Sequence, residues 1–178
     1  MNRFDIVIWG ASSFTGKLVT EYFFKNFASN KVKWAIAGRN KSKLENIRLE
    51  VADEKIPILV ADSFDEKSLS LIVKETRVIC STVGPYALYG SLLVELCVKH
   101  STNYCDITGE AHWIRTLIDN FHEDAKSKKI KIVNSCGFDS IPSDMGVYFI
   151  QNEIKKLYKS YAKSIKMRVA GIRGGISG

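Results

Sequence analysis

The sequence predicts an α/β protein built on a doubly wound parallel sheet with helices on both faces. Three observations carry this. Short apolar, β-rich runs alternate with segments of helical spacing; the first run breaks directly into a small-residue turn, GASSFTGK (Gly10 to Lys17); and later runs end in loops rich in Gly, Asp, Ser and Pro. Strands separated by helices pair in parallel through right-handed crossovers, which cover both faces of the sheet.

Each element has its own signal. The first strand spans Phe4 to Trp9, and the helix after the glycine turn carries Leu18, Val19, Tyr22 and Phe23. A second strand covers Val32 to Ala37, a third Ile56 to Val60, and a fourth Val78 to Thr82, with helical spacing at Leu69, Leu71 and Ile72 between the last two. From about Gly90 a helix presents Leu92, Leu93, Leu96 and Cys97. A strand near Tyr104 precedes a helix with Trp113, Ile114, Leu117 and Ile118, and Ile130 to Asn134 supplies the sixth strand. Residues 1–150 are expected to form this domain, and 151–178 a linking helix and the start of a truncated second domain, because the Gly-rich run from Gly171 to Gly178 is of a kind that leads into a next element.

Function turns on residues 10–17. A buried strand feeding a small-residue turn and a helix aims free N–H groups and the positive end of the helix dipole at one point, where a diphosphate sits. A P-loop is excluded: five residues separate Gly10 from Gly16, and Leu18 follows Lys17 where a hydroxyl would hold Mg²⁺. The G-x-G-x-x-G fingerprint also fails, with Ser12 and Thr15 at its later glycine positions. A G-x-x-G-x-x-G register fits, with Gly10 and Gly16 at its ends and Ser13 in the middle. Serine resists a positive φ, so a distorted turn or one bonded through the hydroxyl is expected. Gly10, Ser12, Ser13, Phe14, Thr15 and Gly16 are assigned to the cofactor.

The second strand ends in Gly38, Arg39 and Asn40, about twenty residues after the turn, where the adenosine ribose lies in such domains. An NAD site places a carboxylate there to accept from the 2′-hydroxyl. This chain offers Arg39, with Lys41 and Lys43 beyond it, so NADP is the expected cofactor and NAD the second choice. Asp62, after the third strand, is expected at the adenine edge, and Thr82, Val83, Gly84 and Pro85, after the fourth, at the cofactor's other end, with Tyr86 or Tyr89 facing the nicotinamide ribose. Two further loops, DITGE (Asp106 to Glu110) and SCGFDSIPSD (Ser135 to Asp144), complete one rim. Helix caps and turns use the same residues, so each loop alone also reads as punctuation.

Composition bounds the alternatives. An apolar content of 46% excludes a disordered chain. No stretch reaches the roughly 20 apolar residues that cross a bilayer, and a cytoplasmic location is expected. The four cysteines lack a C-x-x-C pair and the three histidines lack zinc spacing, so buried free thiols and no metal are expected. A net charge of +7 raises nucleic acid as a partner, but the basic stretch Lys155 to Arg168 has the spacing of a helix with a solvated cationic face and contains no nucleic-acid-reading motif.

Taken together and in order, GASSFTG, AGRNKSKL, TVGPYALYG, YCDITGE and GFDSIPSD resemble the amino-terminal half of saccharopine dehydrogenase-like oxidoreductases, a group that includes trans-acting enoyl reductases. The resemblance implies a Rossmann domain binding NAD(P)H, with Gly10, Ser13, Gly16 and Arg39 matching the cofactor motif and Gly84, Pro85 and Tyr86 the loop near the nicotinamide. Ser13 departs from the family's usual glycine. The implied reaction is hydride transfer to or from a small amino-acid-derived or lipid-derived substrate, with a homodimer formed through the domain that follows. Tyr86 and Asp139 are the candidate proton donors; ring packing and helix capping are their competing roles. A non-catalytic dinucleotide-binding module, structural or redox-sensing, is the alternative function.

Overall fold

The computed structural model describes residues 3–27, 31–51, 55–169 and 171. It divides into two compact units, Met1–Gly137 and Phe138–Gly178.

In the first unit, β1 (Phe4–Trp9), β2 (Trp34–Gly38), β3 (Ile58–Val60), β4 (Thr76–Ser81), β5 (Asn103–Asp106) and β6 (Ile132–Val133) form one parallel sheet in the order β3-β2-β1-β4-β5-β6. The strand order reverses between β1 and β4, which opens a crevice beyond their carboxyl ends. The helices are α1 (Phe14–Phe27), α2 (Lys41–Glu50), α3 (Glu66–Lys74), α4 (Tyr86–Tyr89), α5 (Ser91–Lys99) and α6 (Ala111–Ser127).

Strand alternation builds two cores from one sheet. Val7, Ala35 and Ile79 are register partners and pack with Leu69 and Val73 of α3, Leu93 and Cys97 of α5, and Trp113 and Leu117 of α6. Ile8 and Ile36, one residue on, pack on the opposite face with Leu44 and Ile47 of α2 and with Val19 and Phe23 of α1. Ile8, Ile36 and Ile79 are wholly buried, and truncation of such a residue to Ala costs about 2–5 kcal/mol.

Two elements differ from expectation. The sixth strand holds only Ile132 and Val133 because it is an edge pairing with β5 alone, and because Lys129 before it and Ser135 after it turn the backbone left-handed at φ 56° and 60°. The short helix α4 has no counterpart in the sequence reading: four residues carry no period. Of the four free cysteines only Cys97 is buried, and Cys136 is exposed, which corrects the expectation of uniformly buried thiols.

The second unit is organised by α7 (Ile141–Tyr158), with Pro142 in its first turn and Lys159 closing it at φ 53°. The helix thus begins before residue 150, the expected domain boundary. The chain beyond it folds back: the Gln151 side chain donates to the Ala162 carbonyl at 3.1 Å and accepts from the Ala162 amide at 2.8 Å. Residues 159–169 are irregular rather than helical, so the expected cationic helix ends at Tyr158. Of the expected Gly-rich ending, Ile172 to Gly178 lie outside the described residues. No helix among the described residues is long and apolar enough to cross a membrane.

Candidate functional site

The turn between β1 and α1 is shaped by two glycines. Gly10 adopts φ 86°, a conformation that L side chains rarely take. A Cβ on Gly16 would run into the Gly10 carbonyl oxygen, so only glycine lets α1 start this close to the strand. The Gly10 and Ala11 amides donate to the Ala37 carbonyl at 2.8 and 3.2 Å, tying the turn to β2. Ser13 stays out of the positive-φ region, and its hydroxyl accepts from the Gly16 amide at 3.0 Å. The serine therefore acts through its hydroxyl, one of the two outcomes expected for it.

The first turn of α1 leaves work for a ligand. Gly16 spends its amide on Ser13, whereas the amides of Phe14 and Thr15 have no hydrogen-bond acceptor among the described residues. Such orphan donors at a helix start, on the positive end of the dipole, suit an anion. Phe14 itself is exposed.

A cleft of about 470 Å³ lies in front of this turn, lined by Trp9, Gly10, Ser12, Ser13, Gly38, Arg39, Asn40, Lys43, Ser63, Thr82, Val83, Gly84, Pro85 and Tyr89. Most of the expected cofactor residues meet there, drawn from the ends of β1, β2 and β4. Arg39 is exposed and has no carboxylate partner among the described residues, while Lys41 pairs with Glu45 at 3.8 Å. Asn40 caps α2, its Oδ1 accepting from the Lys43 amide at 3.0 Å, and that cap starts the helix so that Lys43 faces the cleft.

Sequence reasoning misplaced or passed over several residues. Asp62 does not line the cleft, because its Oδ1 accepts from the Phe64 amide at 2.9 Å in a local turn; its neighbour Ser63 lines the wall. Lys43 was visible as a cation but was not separated from Lys41; only the ion pair and the helix phase do so.

On the β4 side, Thr82 Oγ1 donates to the carbonyls of Trp9 and Gly10, both at 3.1 Å, and the Gly84–Pro85 peptide is cis. Tyr86 is buried: its hydroxyl donates to the Ser81 carbonyl at 3.1 Å and its ring packs on Trp113 with centroids 5.6 Å apart. Burial pushes its hydroxyl pKa far above the ordinary value, so the geometry serves packing better than proton donation. Asp139 belongs to the second unit, exposed in the turn ahead of α7, with Ser140 at the helix cap. Among the described residues no cluster of His, Cys, Asp and Glu is arranged to hold a metal.

Residues 6–133 match the family model described as the saccharopine dehydrogenase NADP binding domain. A trans-acting enoyl reductase of Mycobacterium tuberculosis is 38% identical over 148 residues, covering 82% of this chain and 35% of that protein. A lipid droplet localized protein of Caenorhabditis elegans is 36% identical over 157 residues, covering 85% of this chain and 37% of its own length. The chain thus spans little more than a third of these relatives. Among solved structures, apo saccharopine dehydrogenase (L-Glu forming) from Saccharomyces cerevisiae superposes with a TM-score of 0.69 over 86% of this chain and 32% of that one at 17% identity, a likeness of fold.

Proposed function

We propose, starting from the fact that the chain belongs to the family of saccharopine dehydrogenase NADP-binding domains, that it is the cofactor-holding part of an NADP(H)-dependent oxidoreductase. The observation that carries this is one cleft in which Gly10, Ser12 and Ser13, from the turn that leads into α1, share the lining with Arg39 and Lys43, cations without carboxylate partners among the described residues.

In this reading the amides of Phe14 and Thr15 hold the diphosphate, and Ser12 and Ser13 approach it closely enough for polar contact. Arg39 and Lys43 take the 2′-phosphate. Because β2 and β4 flank β1 on opposite sides, the adenosine half lies toward Arg39 and the nicotinamide half along Thr82 to Pro85. When bound, the nicotinamide supplies the hydride chemistry. The residues of this chain orient it and line one wall of the reaction space; Tyr86 braces that wall from behind. The acceptor is a C=N, C=O or activated C=C bond of a small amino-acid-derived or lipid-derived substrate. The lipid-derived class is favoured by the two relatives, a trans-acting enoyl reductase and a lipid droplet localized protein.

Calorimetric titration with NADPH and NADH tests this. NADPH binds tighter by on the order of tenfold to a hundredfold, the value of a charge-assisted contact to phosphate, and Arg39→Ala narrows that gap by raising the NADPH Kd alone. A folded sample that binds neither nucleotide overturns the reading.

A further inference from the structure

DITGE starts at the last residue of β5 and runs on beyond it, outside the cleft, and its residues are wired to one another. Asp106 is buried and its carboxylate accepts three bonds: from the Thr108 amide at 3.1 Å, the Ser135 amide at 3.1 Å and Asn134 Nδ2 at 2.7 Å. The Thr108 carbonyl accepts from the Ser135 hydroxyl at 2.8 Å, and the Thr108 hydroxyl accepts from the Glu110 amide at 3.1 Å. Glu110 then reaches across to the β4 loop. Its Oε1 accepts from the Tyr86 amide at 2.6 Å and its Oε2 from the Ala87 amide at 2.9 Å.

The target of that reach is informative. Val83, Gly84 and Pro85 form the β4 side of the cleft; Val83 packs partly against the core, but Gly84 and Pro85 are exposed, so packing does little to hold those two. The stretch is instead pinned at its two ends, by Thr82 on the end of β1 and by Glu110 on Tyr86 and Ala87. Ser135 adopts φ 60°, an unfavourable conformation for serine, while contributing both its amide and its hydroxyl to the network. A carboxylate on two amides is a strong, directional clamp. Tyr86 and Ala87 have no other amide acceptor among the described residues.

We infer that Glu110 is a positioning residue: through the Tyr86 and Ala87 amides it holds the Val83–Pro85 wall in the shape that receives the nicotinamide half of the cofactor. The inference rests on the dinucleotide reading of the cleft. It also assigns DITGE a role as a brace, with Asp106 as its buried anchor.

The test compares NADPH with adenosine 2′,5′-bisphosphate, which carries the 2′-phosphate but no nicotinamide, on the whole chain and on Glu110→Ala and Glu110→Gln. Both variants weaken NADPH by about tenfold or more, leave the bisphosphate within about twofold of wild type, and lose the emission change of bound NADPH. Glutamine keeps the length but turns an NH₂ group toward one of the two amide donors. If the alanine variant does not fold, the glutamine variant decides, with its fold checked by circular dichroism. Equal losses for both ligands, or no loss for either, overturn the inference while leaving the cofactor reading intact. A wild-type chain that binds neither ligand overturns that reading and this inference with it.

Discussion

The two flanks of the cleft are built with different chemistry, which on the dinucleotide reading proposed above suits two different tasks. On the β2 flank, Arg39 and Lys43 are exposed and have no carboxylate partner among the described residues, and the local hydrogen bonding of Asn40 sets only the start of α2. On the β4 flank, Thr82, Tyr86 and Glu110 commit their side chains to bonds within the protein, and the wall offers a ligand mostly backbone and the apolar Val83 and Pro85. An anion is selected by charge, which tolerates mobile side chains and acts over several ångströms. A nearly flat ring carrying a hydride must be selected by shape and held at a defined distance, which requires rigidity. Charge can therefore be left in water, whereas shape must be supported from behind.

Four experiments sharpen or break that contrast. The largest effect belongs to the element both flanks share: Gly16→Val drives a branched side chain into the Gly10 carbonyl, destabilises the fold by about 2–4 kcal/mol, and abolishes binding of NADPH and of adenosine bisphosphate alike, as read by thermal melts and titration. Next come the cations. Arg39→Ala with Lys43→Ala together weaken NADPH by on the order of a hundredfold while leaving NADH nearly unchanged, and Lys43→Ala alone has the smaller share; an equal loss for NADH would mean that these side chains shape the site rather than read the phosphate.

Salt separates the flanks without mutation. Raising ionic strength from about 0.05 M to about 0.5 M weakens adenosine 2′,5′-bisphosphate by several-fold, because exposed charges are screened within a few ångströms at the higher value. The same change leaves the affinity increment from the nicotinamide half nearly constant. The smallest effect is expected of Tyr86→Phe. It removes a bond to the Ser81 carbonyl, costing about 1 kcal/mol in a melt, and leaves any NADPH-dependent hydride transfer that the protein shows within about threefold of wild type. A loss of activity of a thousandfold with unchanged cofactor binding would instead identify the hydroxyl as the proton donor.

The legible part of the site was the part made by neighbours in sequence. Gly10, Ser13 and Gly16 sit within one turn, and Arg39 follows a strand at a spacing that the crossover geometry dictates, so strand-turn-helix periodicity located them. The serine at the central position illustrates the limit: its sequence position leaves open whether it distorts the turn or bonds through its hydroxyl, and the fold decides for the bond to the Gly16 amide. Asp62 and Ser63 are adjacent, yet one stays exposed and accepts from the Phe64 amide in its own turn while the other lines the wall, a choice made by a single local hydrogen bond. Lys41 and Lys43 are equivalent by composition; their separation depends on the phase of α2 and the position of Glu45.

By itself the sequence determined the six-stranded parallel architecture, the place of the glycine turn between β1 and α1 and the positive charge at the end of β2, because each follows from periodicity, steric tolerance at glycine or residue type over short spans. Tertiary structure alone decided the bonds of Glu110 to the Tyr86 and Ala87 amides, the burial of the Tyr86 hydroxyl, and the shortness of β6. Glu110 and the amides it holds lie more than twenty residues apart along the chain, and no local pattern encodes a partner at that separation. Only the stacking of β4 against β5 brings their carboxyl ends, and the loops that leave them, within hydrogen-bonding distance.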